Sequence, residues 1–231
     1  MNEIDWLTGD DPTALLAHLG DRASARKLRL FACACVRRGW SLLRYRAPRR
    51  AVEVAERFAD GRATTAELAT AYAEAEMAAG TAPEFEQYAY QAAAATAAEE
   101  ASAAAAQARE AMRQQAVGSA AYELAPGEDE AATVRLASAA EGRAQCELLR
   151  ELFGNPFRPS VVQPAWLAVA DGAAGVVLRL IDDEERFAEL PYLADALEDA
   201  GCTDEPLLRH LRQPTGHVRG CWAVDALLGR T

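Results

Sequence analysis

Alanine constrains this chain more than any other feature. It fills 54 of the 231 positions, most densely between Ala63 and Ala140. Alanine has the best intrinsic helix propensity because it loses no rotamer freedom on folding. Paired β-branched residues are scarce, Val161-Val162 and Val176-Val177 being the only double valines. The fold class that follows is all-α: an Ala-rich bundle of long antiparallel helices with a smaller C-terminal unit of short ones.

Local signals divide the chain. Asp11-Pro12 reads as a capping carboxylate before a first-turn proline, so a helix is predicted from Pro12 to Leu19. Asp21 or Ser24 then caps a helix predicted to run through Arg46, with Leu28, Phe31, Ala32, Cys35, Val36, Gly39, Leu42 and Leu43 on one face. Pro48 marks a break before a helix ending near Ala59. Two capping boxes are predicted, Thr64 with Glu67 and Thr81 with Glu84, the second opening a long helix to about Val117. Ala125-Pro126-Gly127-Glu128 is a turn, followed by a helix from Asp129 to Leu152. The loop Phe153 to Pro159 sets the expected boundary, giving domains 1–152 and 153–231, the second packed against the bundle. Beyond it, Pro164 opens a helix carrying Trp166, Leu167, Val177, Leu180 and Ile181. Further helices are predicted over 184–190, 191–200, 203–212 and 217–228, with Gly201 and Gly229 at C-terminal caps.

Charge is uneven. The formal net charge is -11, yet Arg22 to Arg50 holds ten basic residues and no acidic one. Arg37, Arg38, Trp40, Arg44, Arg46, Arg49 and Arg50 form a candidate partner-binding face. They suit nucleic-acid phosphates, with Trp40 for stacking. With 35 carboxylates in the chain, pairing of these arginines inside the molecule is the favoured alternative.

No stretch approaches the ~18 apolar residues of a membrane span, so no membrane partner is expected. The five cysteines are an odd number, and nothing at Met1 to Trp6 resembles a secretory leader. Reduced thiols in a cytoplasm are the expectation.

Cys202, His210, His217 and Cys221 are the one Cys/His grouping, spaced C-x7-H-x6-H-x3-C. On a continuous helix His217 and Cys221 would share a face, as metal ligands can. Cys202 and His210 would sit about 12 Å apart at 1.5 Å per residue, which makes four-way convergence awkward. Buried thiols and a turn-capping histidine are the plainer reading. Cys33 and Cys35 lie two apart, about 200° around a helix, and cannot both face one side of it. No G-x-S-x-G elbow or phosphate-binding glycine loop is present. Acidic runs such as Asp182 to Glu185 fall at predicted helix starts, where they complement the dipole.

Two resemblances add to this reading. QPTGHVRGCWAVDALLG resembles half of a HEAT-type repeat, with Val218, Arg219, Ala223, Ala226 and Leu227 at the pattern positions. It is not repeated upstream, which implies one helical pair rather than a solenoid. The blocks KLRLFACACVRR, AVEVAERFADG, FGNPFRP, LADALEDAGC and HVRGCWAVDALLG are similar to those of a family of helical bacterial proteins. That likeness implies a bacterial source and brings no activity with it.

The function expected is a non-enzymatic helical protein-interaction or regulatory module, with another protein as partner and no cofactor. The alternatives are a nucleic-acid-binding protein using Arg22 to Arg50, and a zinc-binding or Cys/His-dependent protein.

Overall fold

The computed structural model describes residues 1–168 and 173–230. Thirteen α-helices and no strand are found among them, so the chain is all-α. Backbone contacts divide the chain into two compact units, Met1–Leu149 and Arg150–Thr231. The division falls inside one helix, in the turn before the expected boundary loop, and it leaves Glu151 with the second unit.

The first unit runs α1 (Glu3–Thr8), α2 (Pro12–Leu19), α3 (Ala25–Arg37), α4 (Arg46–Ala59), α5 (Thr65–Ala79), α6 (Gln87–Thr96), α7 (Ala101–Tyr122) and most of α8 (Glu130–Phe153). The caps follow the local chemistry. Asp11 accepts from the Thr13 N–H with Pro12 at the first helical position, and Ser24 accepts from Lys27. Thr64 and Glu67 form the reciprocal capping box. The alanine-rich α7 and α8 run antiparallel. Gln145 donates to the Arg109 carbonyl at 2.9 Å and Arg113 to Ser138 at 3.2 Å, so ascending positions on one meet descending positions on the other.

Helix α3 lies at the centre, against α4, α6 and α7. Its residues from Arg29 to Val36 are all buried, so it is not the one-sided amphipathic helix expected. Cys33 and Cys35 are both buried for that reason. Their small side chains, with Ala32 and Ala34, let neighbours approach from every direction. The helix also stops at Arg37 rather than Arg46, a 3-10 turn over Trp40–Leu42 intervening before α4. Pro48 lies inside the first turn of α4 and does not break it.

The expected helix from Pro83 to Val117 is two helices with a turn between. Arg29, 3% exposed, explains the break. Its guanidinium donates to the carbonyls of Thr96 and Ala98, both at 2.7 Å, and of Glu99 at 2.9 Å. Those carbonyls turn toward the cation instead of continuing a helical ladder. Helix propensity continues through the alanines, but a tertiary contact overrides it. Thr81 caps nothing; its hydroxyl donates back to the Ala78 carbonyl at 3.2 Å, and a 3-10 turn over Glu84–Glu86 opens the next segment.

The second unit holds the end of α8, then α9 (Pro164–Ala168), α10 (Ala173–Glu184), α11 (Leu190–Asp199), α12 (Glu205–Leu211) and α13 (Trp222–Leu228). The stretch that would join α9 to α10 into the single expected helix lies outside the described residues. Leu178, Ile181, Leu193, Leu197, Leu208 and Val224 are central to its core. The expected helix over 217–228 begins only at Trp222, and residues Gln213 to Cys221 are irregular. Val218 and Arg219 of the HEAT-type pattern therefore lie in the connection and not on a helix.

Gly154 ends α8 with φ +64°, and a β-carbon there would meet the Trp222 ring at 3.0 Å. Gly154→Ala combines backbone strain with a ring displaced, each of order 1–3 kcal/mol. A loss of about 2–4 kcal/mol is expected in the denaturant transition of the second unit; a change below ~0.5 kcal/mol would contradict this packing.

Candidate metal centre

Glu151, His210, His217 and Cys221 come together in the second unit. One donor atom of each lies within 4.8 Å of the others. Glu151 is on the last turn of α8, among the buried Leu148, Leu149 and Leu152. His210 is in the last turn of α12, His217 in the irregular connection, and Cys221 is the N-cap of α13. Three backbone segments thus supply the four side chains, the connection between α12 and α13 giving both His217 and Cys221.

The distances describe a small polyhedron. His210 Nε2 is 3.1 Å from Cys221 Sγ and 3.3 Å from Glu151 Oε2. His217 Nδ1 is 3.1 Å from Glu151 Oε1 and 3.9 Å from Cys221 Sγ. Zinc bonds of roughly 2.0–2.3 Å to nitrogen, oxygen and sulfur imply donor separations of roughly 3.3–3.7 Å around a tetrahedron. The observed separations of 3.1–3.9 Å lie near that range but engage both Glu151 oxygens. With one donor atom per residue the spread is up to 4.8 Å, so an ion would draw the group slightly inward.

Without a cation the cluster is held by its own charges. Burial works to raise the Glu151 carboxyl, but the hydrogen bonds and charges of His210 and His217 prevail and hold it below the usual carboxylate range. Burial works to lower His217, and its bond to Glu151 with the carboxylate charge raises it instead. Burial, aided by the negative charge of Glu151, pushes the Cys221 thiol well up, against backbone N–H groups of Val224 and Ala223 that favour the thiolate. Left to protons alone, this thiol stays protonated. A divalent cation inverts that logic by binding the thiolate directly.

A Cys–His–carboxylate catalytic triad is the competing arrangement, and the geometry disfavours it. In a triad the imidazole faces its nucleophile with one nitrogen and its carboxylate with the other. Here the same nitrogen of His210 faces both Sγ and Oε2. One nitrogen placed between the thiol and the carboxylate suits convergence on a point better than relay through the ring.

An outer layer fixes the donors. His217 Nε2 donates to the Gln213 carbonyl at 3.0 Å, which leaves Nδ1 free to bind as a lone-pair donor. The His210 ring packs between His217 and Trp222, both with centroids 4.9 Å away.

Of the four residues singled out by spacing, His210, His217 and Cys221 are brought together. Cys202 is not in this group; it is buried in the second unit's core, where burial raises its thiol. Glu151 takes the fourth place, and spacing among Cys and His alone could not find it. The available signal was a carboxylate inside Glu-Leu-Leu-Arg-Glu-Leu-Phe at core register, where an unpartnered charge is costly.

Four arginines of the basic face pair with carboxylates of the same unit. Arg37 binds Glu56 through two bonds, 2.9 and 2.6 Å, and stacks 4.2 Å over the Trp40 ring. Arg38 meets Glu141 at 2.6 Å, Arg44 meets Glu86 at 2.8 Å, and Arg50 meets Glu74 at 2.6 Å. Arg49 stacks on the other side of the pairing, 5.3 Å from the Trp40 centroid. Arg46 is exposed. Phosphate binding here would have to displace these bonds. Exposed pairs such as Arg50–Glu74 contribute only ~0–1 kcal/mol each, so they orient helices more than they stabilise them.

No described helix is long and apolar enough to cross a membrane. No protein-family model, curated protein or solved structure matches the chain.

Proposed function

We propose that this chain is a zinc-binding helical module, non-enzymatic, in which one ion organises the C-terminal unit. The convergence of Glu151, His210, His217 and Cys221 carries this reading. A soft thiolate, two imidazoles and one carboxylate suit Zn(II) better than the all-oxygen sets preferred by Mg(II) or Ca(II). The four side chains would fill every position of a tetrahedral ion, whereas a catalytic zinc keeps one for water or substrate. The role is therefore structural.

The partner of such a module is most simply another protein. Val176, Val177 and Leu180 leave an exposed apolar strip on α10, which supports that role. The matched arginines remove the main support for a nucleic-acid partner. The five free, buried cysteines support a reducing compartment, in keeping with a bacterial cytoplasm.

Elemental analysis of protein purified without an affinity tag tests the reading. About one zinc per chain is expected, as for other closed four-ligand sites. Zinc below about one-tenth per chain after growth in zinc-replete medium would overturn it.

A further inference from the structure

The connection between α12 and α13 has an unusual distribution of burial. Arg212, Gln213, Pro214, Thr215 and Gly216 are all exposed, and Val218 and Arg219 are half-buried. Two side chains are sunk deeply, His217 at 2% exposure and Cys221 at 0%. Both belong to the candidate metal centre. Gly216 at φ +95° and Gly220 at φ +83° give the backbone the left-handed turns it needs on either side. Of the connection's residues, Cys221 alone belongs to the second unit's apolar core.

The remaining ties lie at the edges of the connection. Arg212 pairs with Asp195 at 2.9 Å and with Glu198, and Arg219 pairs with Glu185 at 3.2 Å. The Arg212 pairs are exposed and hold the segment weakly. Backbone bonds run from the Gln213 N–H to the His210 carbonyl and from the Cys221 N–H to the Val218 carbonyl. By contrast α12 and α13 bring Leu207, Leu208, Leu211, Val224 and Leu227 into the second unit's core. Those helices have hydrophobic anchorage of their own.

We infer that the metal acts as a latch on this connection: bound zinc holds residues 212–221 closed, and its removal opens them while the helices on either side stay docked. The inference rests on the zinc reading and adds a location to it. Local opening free energies differ widely within one fold, and segments with few buried apolar contacts lie at the low end. Binding energy at ligands that anchor such a segment becomes ordering energy for that segment. The apo and zinc forms would thereby present two different surfaces at one end of the second unit.

Hydrogen exchange followed by mass spectrometry tests this on the full-length, untagged chain. Exchange is compared between the zinc-loaded protein and the same protein stripped by chelator, with metal content measured on both. Stripping should accelerate exchange in peptides covering 212–221 at least about tenfold. Peptides covering α11 should change little. His217→Ala in excess zinc should reproduce the opening, and Thr215→Ala, at an exposed position, should not. Protein that demonstrably loses its zinc yet keeps 212–221 protected would overturn the latch and leave zinc binding intact. A chain that never binds zinc would sink both. Uniform loss of protection across the second unit on stripping would also overturn it, since the ion would then fold the whole unit.

Discussion

Replacing Cys221 with serine is expected to weaken zinc binding by roughly a hundredfold to a thousandfold. Structural zinc sites have apparent binding free energies of roughly 10–16 kcal/mol shared among four ligands, so one ligand carries about 3 kcal/mol. Serine keeps the shape but offers a poor donor, because its hydroxyl does not ionise as a thiol does. Competition with a chromophoric chelator reads the affinity directly. The thiol is also fully buried, so the substitution costs some stability in either form, and more in the zinc-loaded protein than when zinc is absent. Unchanged affinity would show that Cys221 is only a packed thiol, as free cysteine often is.

Arg29→Ala is the second large effect, and it concerns the first unit alone. The substitution removes three charge-assisted hydrogen bonds and leaves the carbonyls of Thr96, Ala98 and Glu99 short of a donor at a buried turn. It also removes a guanidinium 5.1 Å from the Phe58 ring centroid. Burial already pulls the Arg29 pKa down, a sign of the desolvation that those carbonyls must offset. Loss of one partner from a buried charged network costs about 3–5 kcal/mol, a large share of a typical folding margin of 5–15 kcal/mol. The shift should appear in guanidinium unfolding of the first unit. Arg29→Lys should recover only part of it, because a single ammonium cannot reproduce the fork that reaches three carbonyls. A cost below about 1 kcal/mol for Arg29→Ala would contradict the account of the turn.

These two residues also show where the sequence was readable. The helical class followed from alanine content, and the start signals Asp11-Pro12, Ser24 and Thr64 were local chemistry that survives in the fold. Local signals failed where a distant group intervened. The alanine run through Thr96 reads as one helix until Arg29, far away in sequence, takes its carbonyls. The expected amphipathic face of α3 failed because both flanks are covered, which no helical wheel of α3 alone can show. At the metal centre, the histidines and Cys221 were visible by type. Their convergence depended on an irregular connection that the pattern read as helix, and on Glu151 at the far side of several helices. Spacing rules for zinc suit ligands carried on one short hairpin. Here the candidate ligands come from three backbone segments, and only the fold brings them together.

The matched arginines teach a related lesson about charge. A block of ten basic residues without an acidic one suggests an external anion, yet the partners are Glu56, Glu74, Glu86 and Glu141 on other helices. Sequence charge runs report what a segment carries, whereas pairing is a property of the packed bundle.

The central claim is that these four side chains surround one ion. Zinc K-edge X-ray absorption on the untagged protein tests it most directly. The account predicts a four-coordinate shell with one sulfur near ~2.3 Å and three nitrogen or oxygen neighbours near ~2.0–2.1 Å, the sulfur disappearing in Cys221→Ser. A shell of six light atoms, or a sulfur that persists in that variant, would contradict it.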